Sequence, residues 1–325
     1  VKLKNSTPCR LICAGVALPL QGWLQRLKGF PWGIDLPLGK FELFQIRTCA
    51  SVKPARVGVD QKIEEAGSSV WHRTAFDIGE WGLGFMTTSL SLGCDCLGDI
   101  TYLDAVVHDS RGEPRTIPNA ICIHEEDSGV GWKHVDERAG VEVRRARRLV
   151  VSFHVTVANY EYLVYWRFYQ DGNIECEVRA TGIMVTTPFE GDAAPPYGTV
   201  VDTQTYAPIH QHFLTVRLDM EVDGADNTVV MSETEQLPIG PDNPHGLALA
   251  QRSVPLATEG GFDFDWSTQR AWKVTNPNVR NKVGTPVAYK LVPGGAFPAM
   301  FDPNSPVQAR CRAIEHTVWV TPNSP

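Results

Sequence analysis

One stretch constrains the fold more than any other: Leu149 to Ala180 reads as three strands in succession. Leu149 to Val157 (LVVSFHVTV) is β-branched and aromatic, and Tyr160 to Tyr169 (YEYLVYWRFY) alternates and is rich in aromatics. Gln170-Asp171-Gly172-Asn173 carries the Asp-Gly turn signal. In Ile174 to Ala180 (IECEVRA), Ile174, Cys176 and Val178 share one face and Glu175, Glu177 and Arg179 the other. Strands joined this tightly pair antiparallel and bury one face.

The same period recurs downstream. Phe213 to Val222 places Leu214, Val216, Leu218, Met220 and Val222 on one side and Arg217, Asp219 and Glu221 on the other. Val287 to Val292 and Thr317 to Val320 are further strand candidates, while Thr187 to Gly198 and Pro238 to Gly246 read as surface loops. No long helical period is present. These features predict an all-β chain, a large antiparallel β-sandwich, over residues 71–325. Residues 1–70 form a separate, irregular segment in which Pro and Gly interrupt every candidate element.

Composition narrows the function. With 30 Lys+Arg against 37 Asp+Glu, the net charge is −7, which argues against a nucleic-acid footprint. Apolar residues at 43% and charged residues at 21% exclude general disorder. The longest apolar stretch, Leu11 to Leu20, is half the roughly 20 residues that a spanning helix needs. Lys2, Lys4 and Arg10 before it resemble the flank of a secretion signal, but no convincing cleavage site follows and the chain starts at Val1, as a fragment would. Neither a membrane partner nor a compartment is expected from this reading. The eight cysteines are too sparse for a disulfide scaffold, and one bridge with several free buried thiols is the expectation.

Four constellations could carry chemistry. His210-Gln211-His212, if on a strand, points both imidazoles to the same face as Leu214 and Val216, where they could meet a copper, zinc or iron ion. Two histidines hydrogen-bonded to carbonyls near a sheet end fit the spacing equally well. Tyr160, within Asn159-Tyr160-Glu161-Tyr162, sits where one β-run ends and the next begins; on pattern alone it is one more sheet aromatic. Asp77, between Phe76 and Ile78, is either a desolvated base or a loop acid capping a turn. The run Arg144-Arg145-Ala146-Arg147-Arg148 lacks flanking aromatics and reads as a solvated strand entry or a subunit contact.

Taken in order, several segments resemble the catalytic domain of the copper-containing amine oxidases, the topaquinone family. They are AFDIGEWGLG at Ala75 to Gly84, LGCDCLG at Leu92 to Gly98, ICIHEED at Ile121 to Asp127, and TVANYEYLVYWRFYQDG at Thr156 to Gly172. ATG at Ala180 to Gly182, HQHF at His210 to Phe213, RLDMEVDG at Arg217 to Gly224, NPNVRN at Asn276 to Asn281, PVAYKL at Pro286 to Leu291 and VWVT at Val318 to Thr321 continue it. The resemblance implies oxidative deamination of primary amines by molecular oxygen, giving aldehyde, ammonia and hydrogen peroxide. Tyr160 would be the tyrosine converted to topaquinone, Asn159 would orient the quinone ring, and Asp77 would be the catalytic base. A saturated amine has no acidic C–H, so the quinone acts as the electron sink and a carboxylate takes the proton.

The resemblance further implies that His210 and His212 are two of three copper ligands. Asp219, with the Met220 carbonyl, would belong to a peripheral metal site, often calcium. Cys96 and Cys122 would form a disulfide, and the complete protein would be a homodimer. Departures from the pattern stand beside these matches. The third copper histidine has no counterpart, since His316 lies elsewhere and reads as a surface or strand histidine. Residues 1–70 do not match the family. The expected state is an incomplete catalytic domain, weakly active or inactive by itself; the alternative is a non-enzymatic β-sandwich remnant or binding module with at most a weak metal site.

Overall fold

In the computed structural model, the described residues are 9–12, 44–49, 53–54, 73–74, 83–109, 111–184, 186–191, 193, 196, 198–293, 298–300, 302–304 and 312–322. The strands of the four larger sheets among the described residues pair antiparallel, as the sequence pattern predicts. The chain divides into two compact units, one of residues 54–73 and 80–210 and the other of residues 1–53, 74–79 and 211–325.

The unit ending at His210 is built on a five-stranded sheet. Its order is β5 (Thr101–His108), β6 (Pro114–Asp136), β7 (Gly140–Val157), β8 (Tyr160–Tyr169) and β9 (Ile174–Gly182), each hairpin-linked to the next. Past the Cys122–Ser152 pair, where β6 leaves β7, the segment after the 3-10 turn Leu83–Met86 takes its place: Thr87 bridges Val155, and the Thr88 amide donates to the His154 carbonyl at 3.0 Å. A second sheet runs β10 (Thr187–Pro188), β12 (Thr205–Pro208) and β11 (Gly198–Asp202).

Alternation puts Val151, Phe153, Val155 and Val157 of β7 on the same face as Tyr162, Val164, Trp166 and Phe168 of β8, all buried. Burying each such side chain stabilises the sheet by on the order of 1.5–3 kcal/mol. The opposite face is partly polar and is held by ions. Arg167 is only 2% exposed; its guanidinium reaches Glu175 at 2.9 Å and also contacts Glu177. Its carbon lies 5.1 Å from the Tyr165 ring centroid, and that of Arg179 lies 4.7 Å from the same ring. A buried guanidinium persists only where carboxylates surround it this closely.

The β6–β7 hairpin is longer than the sequence pattern suggests. The basic run lies inside β7 and is answered across the hairpin: Arg145 pairs with Asp127, Arg147 with Glu125, Arg148 with Glu126, and Arg144 with Glu142 on its own strand. The run is therefore ion-paired within the hairpin, three of its four arginines across the strands, and is not a strand entry.

The other unit holds two larger sheets. One has the order β16 (Gly260–Phe262), β19 (Val318–Pro322), β1 (Cys9–Ile12), β13 (Phe213–Asp219), β2 (Phe44–Cys49). The second runs β15 (Leu249–Pro255), β14 (Thr228–Gln236), β17 (Ala271–Arg280), β18 (Pro286–Leu291). A short pair, β3 (Lys53–Pro54) with β4 (Arg73–Thr74), completes the described strands. Around Trp272, Val274 and Val229 the β14–β17 pairing is buried. No helix among the described residues is long and apolar enough to cross a membrane, which says nothing of strand-built membrane barrels.

Candidate active site

The turn between β7 and β8 places Tyr160. Val157 pairs with Tyr160, leaving Ala158 and Asn159 as a two-residue hairpin loop. Of the two, only Ala158 has a positive φ, 55°, the pattern of a type II′ turn, whose first position ordinarily takes glycine. On its other side Tyr160 pairs with Gly182 of β9, and the Ile183 amide donates to the Asn159 carbonyl at 2.7 Å. Tyr160 is therefore held by backbone on both sides at the first position of its strand, as its place between two β-runs predicts.

His210 faces it. The three-stranded sheet delivers β12 to Pro208, and two residues later the His210 Nδ1 hydrogen donates to the Pro208 carbonyl at 2.8 Å. A proton on Nδ1 leaves Nε2 with its lone pair exposed. That lone pair is 2.8 Å from the Tyr160 hydroxyl, which donates to it, with ring centroids 5.9 Å apart. Tyr162, next on the same face, stands 6.4 Å from Tyr160 centroid to centroid. Burial first, and the Tyr160 phenol second, push the Tyr162 phenol far above its ordinary value, so it stays neutral.

The histidine pair departs from expectation. His210, Gln211 and His212 lie in the extended segment before β13, which begins only at Phe213. Strand parity does not apply there: His210 is half-buried and His212 exposed. Leu214, assigned inward by alternation, is 41% exposed. Gln211 donates to the Pro298 carbonyl at 3.1 Å and accepts from the Met300 amide at 2.8 Å.

Asp77 lies outside the described residues. Asn159 is exposed, and it is its main-chain carbonyl that is engaged. Asp219 ends β13 half-buried and Met220 is buried. In the loop beyond them Asn276 Nδ2 occupies the carbonyls of Val222 at 3.0 Å and Asp223 at 2.9 Å. No group of three or more His, Cys, Asp or Glu that could hold a metal occurs among the described residues. His316 is committed elsewhere: Nδ1 is 2.9 Å from Asp263, and the ring meets Trp319 edge-on.

Cys96 and Cys122 are not bonded to each other, yet both are buried in one cluster with Leu90, lined by Ile100 and Tyr102. Sequence reading missed what adjoins them. His124 Nδ1 is 3.4 Å from the Cys122 sulfur, and its Nε2 is 3.1 Å from Glu126. The i, i+2, i+4 spacing in Cys122-Ile123-His124-Glu125-Glu126 is the signal that a strand would line up these three side chains. Ala158 was missed too, although a two-residue gap between strands demands a positive φ; Gly182, inside β9, carries no such signal.

Residues 65–325 match the model of the copper amine oxidase enzyme domain. The chain is 48% identical over 249 residues to a histamine oxidase of Arthrobacter globiformis, covering 76% of this chain and 36% of that protein. It is 40% identical over 280 residues to a peroxisomal primary amine oxidase of Pichia angusta, covering 82% of this chain and 40% of that protein. Among solved structures, a copper-containing benzylamine oxidase from Hansenula polymorpha superposes with a TM-score of 0.76 at 32% identity, over 85% of this chain and 43% of that one. The chain thus spans well under half the length of these relatives. A match to the enzyme-domain model over most of its residues makes this chain a member of the copper amine oxidase family.

Proposed function

We propose that this chain is part of an enzyme that oxidises primary amines to aldehydes with molecular oxygen, releasing ammonia and hydrogen peroxide. The observation that carries the reading is the 2.8 Å contact between the Tyr160 hydroxyl and Nε2 of His210, whose Nδ1 is engaged by the Pro208 carbonyl. A neutral imidazole with its second nitrogen fixed by a carbonyl is the form that ligates a metal. The donor chemistry at His210 therefore fits copper, with His212 as a second ligand. When bound, copper would supply the redox chemistry that turns the Tyr160 ring into a quinone, and the quinone would be the electron sink for amine oxidation.

The chain's own residues do the rest. In the metal-free chain His210 Nε2 accepts the hydrogen bond of the Tyr160 hydroxyl, which holds the phenol beside the nitrogen that copper would take. Buried Tyr162 and Val157 shield the start of β8 from water. Asp77 takes a proton from the amine-bearing carbon. Asp219, with the Met220 carbonyl, is proposed as part of a peripheral calcium site, and the whole protein as a homodimer.

The test is carried out on the whole polypeptide, incubated with copper and oxygen and titrated with phenylhydrazine, which gives quinones a strong visible absorbance. Tyr160→Phe should abolish the absorbance. Asp77→Asn should keep it and stop amine turnover. Absorbance surviving in Tyr160→Phe would overturn the cofactor assignment.

A further inference from the structure

The Ala180-Thr181-Gly182 motif has no role in the chemistry just described, yet its glycine lies directly against the cofactor tyrosine. Gly182 pairs with Tyr160 across β8 and β9 and has a φ of +98°. A Cβ placed on it would stand 2.5 Å from the Asn159 carbonyl oxygen, 2.9 Å from the Glu161 nitrogen and 3.2 Å from the Tyr160 Cα. All three are backbone atoms, so no side chain can rotate away to make room. Both the conformation and the space require glycine.

This differs from other glycines of positive φ in the same unit. Gly93, Gly98, Gly112, Gly129 and Gly140 have positive φ but nothing within 4 Å of an added Cβ. They serve turns. Gly182 serves a close approach, and the approach has a consequence one residue later: the Ile183 amide reaches the Asn159 carbonyl at 2.7 Å. On the far side of that carbonyl, Ala158 holds a φ of 55° that an L-residue without a polar side chain rarely adopts. The peptide unit leading into Tyr160 is thus clamped between a strained turn and a bare Cα.

We propose that Gly182 is a positioning residue for Tyr160. Its missing side chain lets β9 close on the Asn159–Tyr160 peptide, and this closure sets where the phenol stands against His210. The consequence for quinone formation rests on the function proposed above; the geometric claim does not, because it concerns the metal-free contact.

Two measurements separate them. In metal-free whole polypeptide labelled with 15N-histidine, the His210 ring shifts report whether Nε2 accepts the Tyr160 hydrogen bond. Gly182→Ala should lose that signature while still melting cooperatively. With copper and oxygen it should form quinone about 100-fold more slowly, the cost of displacing a reacting group by about an ångström. The control is Gly172→Ala, at the other end of the β8–β9 hairpin, where φ is also positive at 89°. It should lose stability but keep both the His210 signature and the quinone rate. Should Gly182→Ala fail to fold, Ala158→Gly added to it gives the turn freedom to yield; that double variant should fold and still lack the signature. A Gly182→Ala protein that keeps the His210 signature overturns the proposal, as does equal loss of it in Gly172→Ala. If the signature behaves as expected but the unaltered protein forms no quinone with copper, the positioning role stands and the copper-quinone reading falls.

Discussion

Oxidation should join Cys96 to Cys122. Both thiols are buried in one cluster, at 6% and 0% exposure, so neither needs a large movement to reach the other. Burial first, and the Cys96 thiol next to it, push the Cys122 thiol up to about 12, so near neutral pH it holds its proton. The neighbouring strand residues offer a way to remove it. Glu126 accepts from His124 Nε2, which leaves Nδ1 free to accept the Cys122 S–H at 3.4 Å. With oxidised glutathione, the Cys122 thiolate attacks one sulfur and expels one glutathione thiol; Cys96 then displaces the second, closing the bond.

The bond closes a loop of about 26 residues, for which the chain-entropy model gives about 3.5 kcal/mol. Guanidinium unfolding of the oxidised protein against the same protein in dithiothreitol isolates this quantity, because the sequence is unchanged. The reduced form should unfold at a lower midpoint by about 3 kcal/mol. His124→Gln should slow closure by glutathione about tenfold or more without changing the final stability gap. Free alkylation of both cysteines after oxidation, or equal midpoints in both conditions, would refute the reasoning.

Arg167→Ala should cost about 3 kcal/mol or more, because Glu175 and Glu177 lose the buried cation between them; Arg167→Met, which keeps the volume, should cost less in the same denaturant assay. The acid limb of stability should be steep. For Glu126, burial works against ionisation, but hydrogen bonds from His124 and Arg148 prevail and lower the carboxyl; for Glu177 the Arg179 hydrogen bond comes first in lowering it. A lowered carboxyl contributes fully above its unfolded value of about 4.3 and loses that contribution as pH falls through the folded value. Melting temperature should therefore hold down to about pH 4.5 and drop below it, and Glu177→Gln should flatten the drop. Copper(II) bound by the whole polypeptide should lose its electron paramagnetic resonance signal in a His210→Ala/His212→Ala double variant; an unchanged signal would remove these residues from the metal.

What the sequence discloses follows from how locally each feature is determined. β8 could be bounded at Tyr160 and Tyr169 because aromatics alternate between two short turns, and the structure gives the same bounds. β6 could not be read to its full length, since Pro118, Gly129 and Gly131 look like breaks. In the sheet they are absorbed: the register shifts between Asp127 and Val130, where Gly129 takes a φ of 83°, and Gly131 makes room for Ala146 on β7. The long hairpin thus depends on a bulge that only its cross-strand partner reveals. Buried Arg167 was invisible for the same reason, since its three acids come from β6 and β9.

The histidines show the limit most directly. Extending the β13 alternation backward assigns His210 and His212 to one inward face, but a strand period holds only where ladder bonds enforce it, and those begin at Phe213. Before that point Pro208 decides. It ends β12, and its carbonyl takes the Nδ1 proton of His210 and so turns Nε2 toward the phenol. Tyr160 is found by its motif and the histidine pair by its spacing, yet their contact across 50 residues of sequence depends on one carbonyl and one glycine. Neither of these carries a functional group that a motif would single out, so the part of the site that sets geometry lies in backbone, which the sequence expresses only as a proline and a glycine.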